Sequence, residues 1–330
     1  MASNINVNSS IDDPNQLLSM TDVSETINRY VLIAFFIFGG IGNLLNVFLF
    51  TRPTLIQTSS SLYLLFTSMS NLLVVVFVIS VRLLADGFDL EIASFSLFTC
   101  RFVSYIYYVC LALPPCFTAF ACIDRWAASC TQVYRRRFAN LRVAKRIIPL
   151  TIISCFILYS HIPFTYNVDV KPPPPYCSAS VSSAMAVLIY QLIIYSLIPP
   201  SITIMFSIGI IMNVQLKRIR IEHAVQISNA LADVRRIRKN PRHHLSQMQV
   251  MLVCQAGIEF LATIPYSIIN LISLFVQNNA YFLSLYSIVR LFIFFNYISS
   301  FYIYTMSSQL YRSELKKLAK SVFCRTNNIR

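Results

Sequence analysis

The sequence predicts an all-α membrane protein, a seven-transmembrane helix bundle followed by a short cytoplasmic amphipathic eighth helix. The chain of 330 residues is 56% hydrophobic with a mean hydropathy of +0.62, which leaves too few polar residues to cover a soluble domain. The net charge is +14, but the basic residues fall between long uncharged stretches. That spacing is typical of membrane topology and not of a nucleic-acid-binding surface, so no nucleic-acid partner is expected.

Seven stretches are long enough to cross a membrane. A crossing needs about 20 apolar residues, because a helix rises about 1.5 Å per residue across about 30 Å of hydrocarbon. Five stretches are uncharged, and two are interrupted by one charge each, at Glu259 and Arg290. The predicted spans are Tyr30–Phe50, Pro53–Val81, Phe102–Ile123, Ile147–Tyr166, a segment within Ser180–Leu216, Leu245–Val276 and Tyr281–Met306.

The last segment of the chain predicts the eighth helix. Its apolar residues recur at helical spacing with lysines between them, a pattern of helices that lie on anionic lipid. These apolar residues are Tyr311, Leu315, Leu318 and Val322. The predicted organisation is therefore an N-terminal tail over 1–29, a seven-span domain over 30–306, and an amphipathic helix with a tail over 307–330. No internal repeat or second domain is visible.

The Lys and Arg residues in the connections predict the orientation. The connections on one side hold three, Arg29, Arg101 and Lys171, and those on the other side hold 22. Basic connections stay cytoplasmic, so the N-terminus is predicted outside and the C-terminus inside. The sequon at Asn8 then lies outside and is a candidate glycosylation site.

Nine cysteines divide according to their predicted depth. Only Cys100 and Cys177 reach the oxidising outer side, which makes them the plausible disulfide. The alternative is two separate free thiols. Cys324, at the end of the eighth helix, is a candidate palmitoylation site or a plain free thiol.

The end of the third span carries Asp124-Arg125-Trp126. It resembles the Asp-Arg-Tyr motif of rhodopsin-like G-protein-coupled receptors, and several other residues stand in the order and spacing of that family. They are Gly42-Asn43, Cys100, Pro163, Pro199-Pro200, Pro265, Ser300-Phe301-Tyr302-Ile303-Tyr304 and Tyr311-Arg312. The resemblance covers about residues 30–323 and extends to invertebrate peptide receptors within the family.

The resemblance implies a plasma-membrane receptor that binds an extracellular ligand and a heterotrimeric G protein. Asp124, Arg125, Trp126 and Tyr304 would form the G-protein coupling switch, with Asp124 holding Arg125 in the quiet state. No acid lies between Arg235 and Ile258 to pair with Arg125, so we expect appreciable ligand-independent signalling.

Four residues would form a core switch: Asn43, Asn71, Glu259 and Pro265. The chain departs from the family here, because Asn71 replaces the aspartate of the sodium site and Thr263 the sixth-helix Trp. Glu259 lies near mid-depth, where a charge costs about 3 kcal/mol or more. One hypothesis is that neutral Glu259 donates to a carbonyl left unpaired by Pro114-Pro115. The alternative is a buried acid satisfied locally.

The ligand pocket is assigned to Arg82, Tyr107 and Arg290. The two arginines lie in the outer halves of the second and seventh spans and could pair with a carboxylate such as a peptide C-terminus. Each could instead extend to the outer headgroups. Retinal cannot form a Schiff base here, because the seventh span contains no lysine. Amine ligands are also not expected, because Tyr107 stands where amine receptors have an aspartate.

The leading alternative from another class is a polytopic membrane transporter or channel. Such proteins usually show internal symmetry or paired broken helices, and the sequence shows neither. An enzyme would need clustered His, Asp or Glu at membrane depth, where the spans hold only His161 and Glu259. The chain is therefore not predicted to be an enzyme or to hold a cofactor or metal.

Overall fold

The computed structural model describes residues 14–169, 176–228, 241–273 and 280–327. Within these residues, seven helices are long and apolar enough to cross a membrane, which confirms the predicted number of spans. From first to seventh the helices are Pro14–Phe50, Ser59–Phe88, Leu97–Ser129, Leu141–Leu158, 181–228, Pro241–Ile272 and Ala280–Ser307. The predicted eighth helix is also present, at Gln309–Asn327.

The first helix begins at Pro14, upstream of Tyr30 and inside the segment assigned to the tail. Its added turns are held by polar contacts with the seventh helix. The Asn28 amide donates to the Ser287 hydroxyl at 3.0 Å, and the hydroxyls of Ser24 and Ser287 are 2.9 Å apart. Hydropathy does not detect hydrogen bonds such as those of Ser24 and Asn28, which join the turns before Tyr30 to the seventh helix.

Two helices contain one turn of π-helix, Val74–Ile79 in the second and Leu192–Leu197 in the fifth. The turn in the fifth helix precedes Pro199 and Pro200, whose rings clash with carbonyls four residues earlier and whose nitrogens donate no hydrogen bond. The turn in the second helix contains five β-branched residues, which are less favourable in a regular helix.

Short elements join the long helices. They are a 3₁₀ turn at Ile92–Phe95, helical turns at Val133–Arg136 and Ile162–Thr165, and a hairpin of β1 (Tyr166–Asp169) and β2 (Tyr176–Ala179). The strands are antiparallel, with Val168 opposite Cys177. Cys177 forms the predicted disulfide with Cys100 at the start of the third helix. We call this end of the bundle the disulfide end, and the opposite end the Arg125 end.

Candidate functional site

At the Arg125 end, Asp124 and Arg125 are buried against the start of the second helix. The Ser60 hydroxyl donates to the Asp124 carboxylate, and Arg125 Nη2 donates to Thr58 Oγ1 at 3.4 Å. Thr58 is the N-cap of that helix and also accepts a hydrogen bond from Ser61 N. Both members of the motif are therefore tied to the second helix, in addition to the attraction between their opposite charges.

Trp126 packs between the third and fifth helices. Its ring meets Phe206 edge to face with centroids 5.1 Å apart, and the Arg135 guanidinium lies 5.3 Å from the ring centroid. A Cβ atom on Gly209 would lie 2.7 Å from Trp126 Cδ1. A tryptophan fits at this position because the facing residue of the fifth helix has no side chain.

Tyr304 connects the seventh helix to the eighth. Its ring meets those of Phe50 and Tyr311 edge to face, and its buried hydroxyl has no hydrogen-bond partner among the described residues. The Tyr311 hydroxyl donates to Asn46 Oδ1 of the first helix. Burial raises the pKa of Tyr311, so the phenol stays protonated as this donation requires.

Asn43 and Asn71 belong to one hydrogen-bonded cluster centred on Ser300. The Ser300 hydroxyl donates to Asn43 Oδ1 at 3.1 Å and accepts from the amides of Asn46 and Asn71 at 3.2 and 3.4 Å. All of these groups are neutral. The cluster thus joins the first, second and seventh helices without a carboxylate.

Phe301 stands where the Asn-Pro-x-x-Tyr motif of rhodopsin-like receptors has its proline, and it packs against a glycine of the first helix. A Cβ atom on Gly42 would lie 3.0 Å from Phe301 Cβ. The Phe301 ring also meets Tyr311 edge to face at 6.2 Å. The substitution is therefore accommodated by the close approach of the first and seventh helices.

A tyrosine bridge, formed by Tyr195, Tyr297 and the Leu111 carbonyl, crosses the bundle at mid-depth. Pro115 has no N–H to offer the Leu111 carbonyl, and the Tyr297 hydroxyl donates to that carbonyl at 3.0 Å. The hydroxyls of Tyr195 and Tyr297 are hydrogen-bonded to each other. The bridge connects the third, fifth and seventh helices.

The structure does not bear out the hypothesis that Glu259 donates to a carbonyl left unpaired by Pro114-Pro115, because neither of its carboxyl oxygens is hydrogen-bonded to a described residue. Glu259 is 2% exposed. The alternative of a locally satisfied acid is not seen among the described residues either. The backbone carbonyl of Glu259 accepts a hydrogen bond from Thr263 Oγ1 at 2.6 Å. Glu259 and Pro265 lie on the same helix, about one and two-thirds turns apart.

At the disulfide end, Arg82 and Arg290 meet at Asp86. Arg290 Nη2 lies 2.5 Å from Asp86 Oδ2, and Arg82 Nη1 lies 3.6 Å from Asp86 Oδ1. The Arg82 guanidinium also stands 5.4 Å from the ring centroid of Tyr107. The structure thus brings the three residues of the predicted ligand pocket together.

Asp86 is the residue that the sequence analysis missed. It lies beyond Val81, the predicted end of the second span, whereas the second helix continues to Phe88. The signal was its spacing of four residues from Arg82, which puts the two charges on one helical face.

Tyrosines surround this charged group. Arg290 lies 5.6 Å from the ring centroid of Tyr286, whose hydroxyl donates to Asn270 Oδ1 at 3.0 Å. The hydroxyls of Tyr108 and Tyr166 are 2.6 Å apart. Burial raises the pKa of Tyr166 to about 12, so this phenol is protonated at neutral pH. The disulfide end therefore contains positively charged groups and hydroxyl groups surrounded by aromatic rings.

The family described as 7 transmembrane receptor (rhodopsin family) matches residues 42–302, well over half of the chain. The chain belongs to the rhodopsin family of seven-transmembrane receptors. No curated protein matches it. As a member of this family, the chain is a multi-pass plasma-membrane signalling receptor.

The matched segment contains most of the predicted site, with Tyr304 just beyond its end. Among the described residues, no group of three or more His, Cys, Asp or Glu could hold a metal ion. Asn8 lies outside the described residues. Of Cys324 the structure describes the helical backbone and not the side chain.

Proposed function

We propose that this receptor carries the signal of an extracellular peptide bearing a carboxylate to a heterotrimeric G protein. The disulfide end would face outward, as the distribution of basic residues predicts. The observation that supports a carboxylate ligand is that Arg82 and Arg290 have hydrogen-bond donors that are not in use. The Nε atoms of both are buried with no hydrogen-bond partner among the described residues.

A ligand carboxylate would complete this group. Asp86 is the carboxylate in contact with both arginines, and it leaves these two guanidinium N–H groups unfilled. Guanidinium groups bind carboxylates through two parallel hydrogen bonds, which gives direction as well as energy. The surrounding tyrosines would contact the peptide side chains, as aromatic residues do in many recognition sites.

The coupling step would occur at the Arg125 end. Opening of the helices there would release Arg125 from Thr58 and expose it to the G protein. The π-helical turn in the fifth helix and Pro265 in the sixth interrupt regular hydrogen bonding and make bending less costly. An agonist that binds the open form better shifts the population toward it.

Signalling in the absence of added ligand tests the coupling role. We expect cells that express the receptor to signal above untransfected cells, and Arg125→Ala to reduce that signal at least tenfold at equal surface expression. Reporters for several G-protein classes make the measurement. Arg142→Ala, which removes an exposed arginine at the same end, is the matched control. A signal that persists in Arg125→Ala would refute the assignment.

A peptide library in which each sequence has a free and an amidated C-terminus tests the ligand class. Charge-assisted hydrogen bonds contribute about 1.5–3 kcal/mol, so amidation should weaken potency about 10- to 100-fold. In Arg290→Gln, compared at equal surface expression, the advantage of the free form should shrink, because Arg82 alone remains to bind the carboxylate. Equal potency of both forms on the unmodified receptor would exclude the carboxylate.

A transporter or channel is the second candidate class, and family membership argues against it. It would show substrate flux or current independent of Arg125. The same cells that carry the G-protein reporters can be assayed for both.

A further inference from the structure

Glu259 lies deep in the sixth helix with no partner for its carboxyl group among the described residues. It is 2% exposed and stands nine residues after Val250, where the sixth span begins, so it lies about 14 Å into that span. Neither carboxyl oxygen is accessible to water or hydrogen-bonded to a described residue. A charge at this depth is costly, so an ionised Glu259 would need compensation from its surroundings.

The titratable groups close enough to interact electrostatically with Glu259 are thiols and phenols, which keep their protons at neutral pH. They are Cys116 and Cys122 on the third helix, Tyr195 on the fifth, and Tyr297 and Tyr304 on the seventh. On its own helix, Gln255 lies one turn away and is also neutral. No Lys or Arg in the described part of the chain forms an ion pair with Glu259. These surroundings therefore supply no opposite charge.

A proton can neutralise Glu259 without any added space. A bound cation or an ordered water would have to stand beside a carboxyl oxygen, and neither oxygen is accessible to a molecule of that size. A proton attaches to the oxygen itself. The packing around Glu259 therefore favours a neutral carboxylic acid in this conformation. We call the conformation the closed form, because Arg125 is bonded to Thr58 at the Arg125 end.

Two further buried oxygens would bind water that enters from the Arg125 end. Gln255 Oε1 and the Tyr304 hydroxyl have no hydrogen-bond partner among the described residues. Gln255 stands about 6 Å nearer to the Arg125 end than Glu259, and Tyr304 lies near that end of the seventh span. Buried polar groups without partners are costly, so water at these positions is favourable. Opening of this end would therefore hydrate Glu259, and a hydrated carboxyl group ionises at neutral pH.

We propose that Glu259 is a proton-binding site that holds its proton in the closed form and releases it to water when the Arg125 end opens. The inference rests on the proposed function only in its use of helix opening, and it involves neither the ligand nor the G protein. The closed form binds one more proton than the open form, so acid favours the closed form and higher pH favours the open form. One proton changes the open-to-closed ratio by at most about tenfold per pH unit.

Infrared spectroscopy of purified receptor in nanodiscs detects the proton directly. A protonated carboxylic acid has a carbonyl stretching band that carboxylates lack and that shifts in D₂O. We expect the unmodified receptor at neutral pH to show such a band, and Glu259→Gln and Glu259→Met to lose it. Glu91→Gln is the matched control, because it makes the same chemical change between the second and third helices and should keep the band.

A pair of nitroxide labels measures how pH affects opening. The labels are attached to cysteines introduced at Val250 and Arg142, which are exposed on the sixth and fourth helices, after Cys254 and Cys324 are replaced by serine. Double electron–electron resonance then gives the open and closed populations without ligand or G protein. We expect the open-to-closed ratio to rise between about pH 6 and pH 8, by up to about tenfold per unit. In Glu259→Gln the ratio should stay constant, and in Glu91→Gln it should still rise.

An unmodified receptor that lacks the protonated-acid band, or whose open-to-closed ratio does not change with pH, would overturn the proposal without relying on any variant. An equal pH response in Glu259→Gln would also overturn it. A ratio that changes when sodium replaces choline at constant pH, and only with Glu259 present, would show a cation site in place of a proton site. Failure of peptides to signal would refute the proposed function and leave both measurements unaffected.

Discussion

Asp86→Asn should destabilise the receptor by about 3 kcal/mol, the lower end of the range for a buried ion pair that loses one partner. The side chain of Arg290 is 9% exposed and that of Asp86 is 16% exposed, so water cannot replace the lost carboxylate fully. Arg82, at 28% exposed, contributes less. Denaturant unfolding of purified receptor in detergent micelles measures the change.

A second substitution at the partner distinguishes charge imbalance from a general defect. Asp86→Asn combined with Arg290→Leu should recover most of the stability, because replacing both members of a buried pair with groups of similar shape is often neutral. Asp89→Asn is the control, since this aspartate is exposed three residues further along. Loss of stability in the double variant equal to the sum of the single losses would contradict the ion-pair explanation.

Gly209→Ala should destabilise the receptor by about 1–3 kcal/mol, the cost of overpacking a filled interface. The added Cβ would lie 2.7 Å from Trp126 Cδ1 and 2.9 Å from Trp126 Nε1, closer than such atoms approach. The indole must move away from Phe206 and Arg135 or the two helices must separate. Because Trp126 is the only tryptophan, its fluorescence emission reports the displacement directly.

Gly257 provides the matched control, because a Cβ atom there would meet nothing within 4 Å. Gly257→Ala should stabilise the receptor by about 0.4–1 kcal/mol by restricting the unfolded chain. Trp126→Phe should relieve the cost of Gly209→Ala, since the smaller ring leaves room for a methyl group. Equal responses to the two glycine substitutions would show that contact with Trp126 is not the cause.

The number of spans and the eighth helix could be predicted from the sequence because lipid imposes a simple rule on length and polarity. The resemblance to the family likewise predicted Asn43 and Asn71 as core residues, but it did not single out Ser300, on which their hydrogen bonds converge. Their actual hydrogen bonds could not be predicted, since these depend on helix rotation and on side-chain geometry. The π-helical turn at Val74–Ile79 is one example of rotation that hydropathy does not reveal.

The missed contacts share a physical cause. A charged residue near the end of a predicted span is expected to be exposed to solvent, so Asp86 was expected in a connection. In the structure Arg82 and Arg290 hold it within the bundle. Tyr297 lay in the seventh predicted span, where nothing in the sequence distinguished it from the neighbouring apolar residues. Its role appears only when the carbonyl left unpaired by Pro115 is traced to its donor.

The π-helical turn in the second helix has a consequence for comparison with other receptors. Such a turn takes up one more residue than a regular turn, so every later side chain is rotated by about 100° relative to an uninterrupted helix. Arg82 and Asp86 face Arg290 because of that added residue. An alignment counted forward from Asn71 against a relative with a regular second helix would therefore identify the wrong pocket residues. A chimera joined beyond Val74 would have to account for the extra residue.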